Sequence, residues 1–228
     1  MDLIIRNGLI VTAHEEFVGD LAIADGKIAC IGNVRDERAQ VLDATGKLVL
    51  PGVIDMHTHI DHWGGSAKTD DDFFTGTRAA AFGGVTTVID FAIQRPGETV
   101  QDAVRRRRSE ADGKVCIDYS LHAHVTGADE ETLRSVPAII GDGYPSFKMF
   151  TTYKKAGFKI EDNDCLTLMR HIHDYGGLVM IHAENDSMCE SLTETMLRAD
   201  TAVPARYPDS RPPIAEAECI SRMLLFAE

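Results

Sequence analysis

The hydrophobic positions of this chain follow two different rhythms. Over residues 1–50 the apolar runs are short and separated by turn pairs. Leu3-Ile4-Ile5 and Leu9-Ile10-Val11 flank Asn7-Gly8, and Leu21-Ala22-Ile23 and Ile28-Ala29-Cys30-Ile31 flank Asp25-Gly26. Val41-Leu42 leads through Gly46 to Leu48-Val49-Leu50. Asn-Gly and Asp-Gly between apolar runs predict hairpins, because these pairs tolerate the positive φ angles of a tight turn. A small β unit is expected.

At Pro51-Gly52 the rhythm changes to strand then helix, repeated. Strands are predicted at 53–57, 85–91, 116–125, 146–150 and 178–182. Helices are predicted at 70–82, 99–111, 129–137, 162–175, 186–199 and from Pro212-Pro213 onward. In the helix at 162–175, Cys165, Leu168, Met169 and Ile172 share a face at the i, i+3, i+4, i+7 spacing. Strands alternating with helices imply a parallel sheet. Five such units suit a TIM barrel, with a five-stranded flavodoxin-like open sheet as the rival. A closed barrel needs eight strands, and Met223-Leu224-Leu225-Phe226-Ala227-Glu228 carries no helix stop signal. The chain therefore reads as truncated. The expected fold is α/β: a small β-sandwich segment at 1–50, then an incomplete TIM (β/α)8 barrel at 51–228 with about five strands present.

Composition narrows the function. The 228 residues are 44% hydrophobic and 26% charged, with a formal net charge of -13. That balance is ordinary for a globular protein and argues against a nucleic-acid partner, which needs a basic surface. The single basic block, Arg105-Arg106-Arg107-Arg108, is expected on the solvated side of its helix. Five scattered cysteines without a C-x-x-C pair fit a reducing compartment better than a disulfide framework or a cysteine zinc site. The start lacks the pattern of a signal peptide, and no apolar run approaches the ~20 residues of a membrane helix. A cytoplasmic protein without a membrane partner is the expectation.

Candidate chemistry begins at His57-Thr58-His59. Alternate residues of a strand face one side, so Asp55, His57 and His59 point together. Two neutral imidazoles at that spacing can share a zinc or similar cation, and they end the first barrel strand, where TIM-barrel active sites lie. His122-Ala123-His124 has the same spacing on a strand and competes with it, although satisfied interior histidines are the commoner outcome. His171-Ile172-His173 lies on a helix, where that spacing is about 200° of rotation, so the two rings cannot chelate together and are expected at the surface. His14 and His62 have no partner pattern. Lys148 stands inside the apolar run Ser146-Phe147-Lys148-Met149-Phe150, where a bare ammonium is costly; snorkelling or an acidic partner is the plainer explanation. His182 ends the strand at 178–182, and Ala183-Glu184-Asn185-Asp186 after it can simply cap the next helix.

These positions converge on one barrel mouth, and together with their surroundings they resemble a known group. The blocks Leu48-Val49-Leu50-Pro51-Gly52-Val53-Ile54-Asp55-Met56-His57-Thr58-His59, Asp71-Asp72-Phe73-Phe74-Thr75-Gly76-Thr77-Arg78-Ala79-Ala80, Ser146-Phe147-Lys148-Met149-Phe150, Ile181-His182-Ala183-Glu184-Asn185 and Ser210-Arg211-Pro212-Pro213 follow the order seen in the dihydropyrimidinase and hydantoinase group of the amidohydrolase superfamily. The resemblance implies two divalent metal ions, zinc first among the candidates. His57 and His59 would bind the more buried one and His182 the second, with a carbamylated Lys148 bridging both. Tyr153 would bind substrate and polarise its carbonyl. A remaining histidine ligand and the aspartate base would lie beyond residue 228. The implied reaction is ring opening of hydantoins or 5,6-dihydropyrimidines by a metal-bridging hydroxide. The loops at 61–65 and 151–158 would set the substrate, and the assembly would be a homotetramer. An allantoinase- or dihydroorotase-type amidohydrolase, or a non-catalytic assembly relative, remain the alternatives.

Overall fold

The computed structural model describes residues 1–64 and 67–228. The chain forms two compact units, Met1–Val53 and Ile54–Glu228.

The first unit is one mixed sheet. It comprises β1 (Leu3–Val11), β2 (Glu16–Ala24), β3 (Lys27–Gly32), β4 (Gln40–Asp43) and the short β5 (Leu48–Val49). Their order is β3-β2-β1-β4, with β5 also pairing β1. β1 runs antiparallel to β2, which runs antiparallel to β3, while β4 and β5 lie parallel to β1. Asp25-Gly26 turns β2 into β3 with φ of 51° and 71°, as two positive φ angles in a hairpin require. Asn7-Gly8, expected to turn, does not. β1 passes straight through it, and the register against β2 shifts between Ile5 and Gly8. Asn7 adopts a φ of 62° and donates its N–H to Asp20 Oδ1 at 3.0 Å. The same left-handed preference that makes a turn has made a β-bulge, one route by which a strand keeps its direction while absorbing an extra residue.

The second unit carries β6 (Val53–Thr58), the short pair β7 (Trp63–Gly64) and β8 (Ala67–Lys68), then α1 (Phe73–Phe82), β9 (Val85–Ala92), α2 (Val100–Ala111), β10 (Asp118–His124), α3 (Glu130–Gly141), β11 (Ser146–Phe150), α4 (Asp162–Asp174), β12 (Leu178–His182), α5 (Asp186–Arg198) and α6 (Pro213–Ala227). The main sheet has the order β12-β11-β10-β9-β6, and β9 through β12 pair in parallel. Each strand of this sheet lies beside the sheet strand that comes before it in the chain. A flavodoxin-like sheet must reverse its order at a switch point, so this succession decides for the barrel type of winding.

The strands' outward residues Leu121, Ala123, Phe147 and Met149 are buried with Val100, Val104, Val136, Ile139, Leu168, Ile172 and Met223 of the covering helices. The inner face carries the candidate chemistry. Local differences from expectation have local causes. α1 begins at Phe73 rather than residue 70, because Asp72 accepts the Thr75 N–H at 2.8 Å and Thr75 Oγ1 answers the Asp72 N–H at 3.1 Å, a reciprocal cap. α3 continues through Pro137 to Gly141. Proline has no N–H to give the carbonyl four residues back, that of Leu133, and His171 Nε2 donates to that oxygen at 2.8 Å instead. His171, expected at the surface, thus repairs a neighbouring helix. The arginine run is likewise not uniformly solvated: Arg107 is 4% exposed and pairs with the buried Asp90. Among the described residues no helix is long and apolar enough to cross a membrane.

Candidate active site

The inward-facing residues gather at the C-terminal ends of the strands, around two phenylalanine rings. Phe91 of β9 lies 4.7 Å from the His57 ring, 4.7 Å from His59 and 4.8 Å from His122, measured between centroids. Phe150 of β11 lies 5.5 Å from His182, 5.9 Å from Tyr153 and 5.2 Å from His124. The Lys148 ammonium sits between these groups, 4.7 Å from the Phe150 centroid and 5.7 Å from that of Phe91. The five candidates from the sequence therefore fall into one neighbourhood. His57 and His59 are on one side with ring centroids 5.3 Å apart, His182 and Tyr153 are on the other at 5.3 Å, and Lys148 lies between.

Electrostatics follows from this packing. Lys148 is 3% exposed, and burial alone pushes its pKa down to about 8. The His59 ring is flanked by Phe91 and, at 4.9 Å, by His62. Burial, then the neighbouring His62, pushes its pKa down to about 4. His57 is lowered by burial first and by the Lys148 charge second. Both imidazoles are thus neutral with lone pairs to offer. Tyr153 is pushed up to about 12 by burial, with Tyr207 the next contributor, so its phenol keeps a proton to donate. Its backbone is held in the left-handed region at φ 64°. Asp186 Oδ1 accepts from Thr152 Oγ1 and from the Lys154 N–H, each at 3.3 Å, tying down both flanks of that residue. His182 Nε2 meets Glu184 Oε2 at 2.8 Å, and Arg211 approaches the other Glu184 oxygen at 3.6 Å.

The competing pair on β10 behaves differently. His122 is satisfied, with Nδ1 2.7 Å from Ser146 Oγ and Nε2 2.9 Å from the Met56 carbonyl. His124 is fully buried and neither ring nitrogen has a hydrogen-bond partner. Its pKa is pushed down to about 4, by burial first and by Lys148 second. Of the substrate loops, His62 lies beside His59 and Asp61 pairs with Lys68, while Gly65 lies outside the described residues. The sequence reading missed Phe91 and Phe150 as organising rings, and it missed Asp90. A carboxylate inside the apolar strand Val85–Ala92 is the same kind of signal that drew attention to Lys148.

Whether this set suits metal ions depends on its donors. Among the described residues no three His, Cys, Asp or Glu side chains come close enough to hold one ion. His57 and His59 supply two neutral nitrogens, and the next group inward is an amine poised to lose its proton. Such an amine, made anionic as a carbamate, would complete both sides at once. The donor set fits on that condition.

A parallel βα sheet wound in chain order, with histidines and a buried lysine at the C-terminal ends of its strands, is the arrangement of the first part of a TIM barrel with its site at the mouth. The chain belongs to the dihydro-orotase-like family, whose model matches residues 46–227. Within that class it is similar to D-hydantoinases. It is 41% identical to the D-hydantoinase of Geobacillus stearothermophilus over 230 residues, covering 100% of this chain and 49% of the relative. A crystal structure of D-hydantoinase superposes with a TM-score of 0.95 at 38% identity, over 99% of this chain and 49% of that one. The dihydropyrimidinase of Brevibacillus agri gives a TM-score of 0.95 at 36% identity, over 99% and 49% of the two chains. The chain spans about half the length of the curated relatives it matches.

Proposed function

We propose that this chain is the N-terminal part of a metal-dependent cyclic amidohydrolase that opens hydantoins or 5,6-dihydropyrimidines. The observation that carries the proposal is the position of Lys148, buried and within 5.7 Å of Phe91, which the His57 and His59 rings adjoin, and within 4.7 Å of Phe150, which the His182 and Tyr153 rings adjoin. Names of the relatives supply the substrate class. In this proposal residues 1–50 form a small β domain segment and 51–228 the first part of the barrel. The other second-metal histidine and the aspartate base come from the portion of the relatives' length that this chain does not span. Cytoplasmic location and assembly as a homotetramer belong to the same proposal.

His57 and His59 would hold one divalent ion through neutral imidazole nitrogens, and His182 would help to hold a second. Glu184 fixes the orientation of the His182 ring, as carboxylates commonly do for ligating histidines. The Lys148 amine, with its proton held only to about pH 8, attacks the carbon of CO₂. A C–N bond forms as one C=O π pair of CO₂ moves onto oxygen, a proton leaves to solvent, and the product is an anionic carbamate whose oxygens would be offered to the ions. The chemistry supplied by divalent ions, when bound, would be polarisation of the amide carbonyl and a lowered pKa of bound water. Tyr153 keeps its phenolic proton at neutral pH and donates it as a hydrogen bond to the substrate oxygen as negative charge develops there. Phe91 and Phe150 wall the site with apolar surface, which strengthens each of these contacts.

The test is Lys148→Ala in the full-length enzyme. Loss of both metals and of ring-opening activity is expected, with partial recovery on adding short carboxylic acids that replace the bridge. His122→Ala and His124→Ala should keep both metals. Two metals per subunit and normal turnover in Lys148→Ala, with metal lost from a β10 variant, would move the site to β10.

A further inference from the structure

Behind the first histidine pair lies an ion pair that the chemistry above leaves unused. Asp90 is 1% exposed and Arg107 4%. Asp90 Oδ1 accepts from Arg107 Nε at 3.0 Å and Nη2 at 2.7 Å, and from the Phe91 N–H at 2.7 Å. Asp90 Oδ2 accepts from the Ile60 N–H at 2.8 Å and from Thr58 Oγ1 at 3.3 Å. Arg107 Nη2 also donates to the Ile60 carbonyl. The N–H of Ile60 belongs to the peptide that joins it to His59, and its carbonyl belongs to the next peptide. Both peptides that follow His59 are therefore gripped, and so is the hydroxyl of Thr58, the residue between the two histidines. The guanidinium is itself fixed, 4.4 Å over the Phe73 ring and with Nη1 3.0 Å from Glu110 Oε2.

Apolar side chains of the same shape would hold a loop about as stably as a buried ion pair does, because desolvation cancels much of the attraction. What the pair adds is direction: a guanidinium fork that closes on one carboxylate oxygen and leaves the other for the Ile60 N–H and the Thr58 hydroxyl. We propose that Asp90 and Arg107 are positioning residues for the metal-binding pair, setting the separation and tilt at which His57 and His59 face one ion. The inference rests on the reading of those two histidines as ligands, and it extends the working site to Arg107 of α2. Arg107 acts from the middle of a run of arginines whose other members are at least partly exposed.

The experiment is a metal-affinity titration of the full-length protein, by chelator competition with zinc and by the visible spectrum with cobalt(II). Wild type, His57→Ala, Asp90→Asn and Arg107→Lys are compared, with the thermal midpoint of each metal-free protein as a folding control. Asp90→Asn and Arg107→Lys should each weaken binding about 10–100-fold, the range for groups that orient ligands. Both should alter the cobalt spectrum and accelerate hydrogen exchange at the Ile60 amide. The double variant should be no weaker than the worse single one, since the two act as a unit. Should Asp90→Asn fail to fold, Arg107→Lys decides, because it keeps the charge and loses only the fork. Wild-type metal affinity and spectrum in a folded variant of either residue would reduce the pair to a purely structural role. If His57→Ala binds metal as wild type does, the ligand assignment itself fails, and the inference falls with it.

Discussion

His124 is the residue whose surroundings are least matched to its chemistry. It is enclosed, with both nitrogens unpartnered and Lys148 as its strand neighbour, so it is neutral in the folded protein and becomes protonated readily once unfolded. Its pKa is about 4 folded against 6.5 unfolded. Between those values the unfolded chain binds more protons, so stability rises with pH across the window and is lost on acidification. His124 should account for about 3 kcal/mol of the loss in the metal-free protein by pH 4. Urea midpoints from pH 7 to pH 4 should show His124→Phe losing distinctly less than wild type, and equal slopes would remove His124 from the account. At Tyr153, the retained phenolic proton gives a second expectation. Tyr153→Phe in the full-length enzyme should lower kcat on the order of 10²–10³ and change KM less, whereas rates within about threefold of wild type would assign the ring to packing. Residues of this kind were legible when they broke an apolar pattern, as Lys148 does. Arg107 was hidden for the opposite reason. Four consecutive helical residues span most of the circumference, so such a run places a member on the buried face whatever its charge.

At the level of elements, existence and type were readable from periodicity, and the departures lie where one element borrows from another. Pro137 is a stop signal within its own sequence, and what cancels it sits in α4, some thirty residues on, beyond the reach of any local pattern. Removing that donor should expose the debt. His171→Ala leaves the Leu133 carbonyl without its partner, which costs about 1–3 kcal/mol, whereas the exposed neighbour His173 should tolerate alanine within about 0.5 kcal/mol. Equal midpoints for both variants in thermal melts would show that solvent serves the carbonyl as well. Asn7-Gly8 teaches the same lesson in the small sheet. The dipeptide announced a positive φ, and the structure has one, but the pairing of β1 with β2 on one side and β4 and β5 on the other decided that the strand should continue. At Gly8 a side chain would force Val49 to move, since a Cβ there would lie 2.4 Å from Val49 Cγ2.

For the whole molecule, the site's layout divides the work unequally. His57, His59 and Lys148 meet at the ends of strands of one sheet, and the proposed function assigns a further ligand and the base to strands outside it. The 228-residue chain by itself is therefore expected to leave dihydrouracil and hydantoin intact in the presence of zinc; metal-dependent ring opening by it, followed as product formation, would overturn the assignment of those groups to further strands. Its outer strands are apolar and open: Ile54 and Met56 on β6 are 61% and 57% exposed, and Leu178 on β12 is 65% exposed. Such edges invite pairing.

The succession β6-β9-β10-β11-β12 has a consequence for how the protein is made. Every strand after the first finds its neighbour already synthesised when it leaves the ribosome, because that neighbour is the preceding strand of the same sheet. Loop closure at each addition spans only one intervening helix, and a sheet of this kind can extend in the direction of translation. The lysine and the histidine pair that it must meet come into register early, before the last helices have been made.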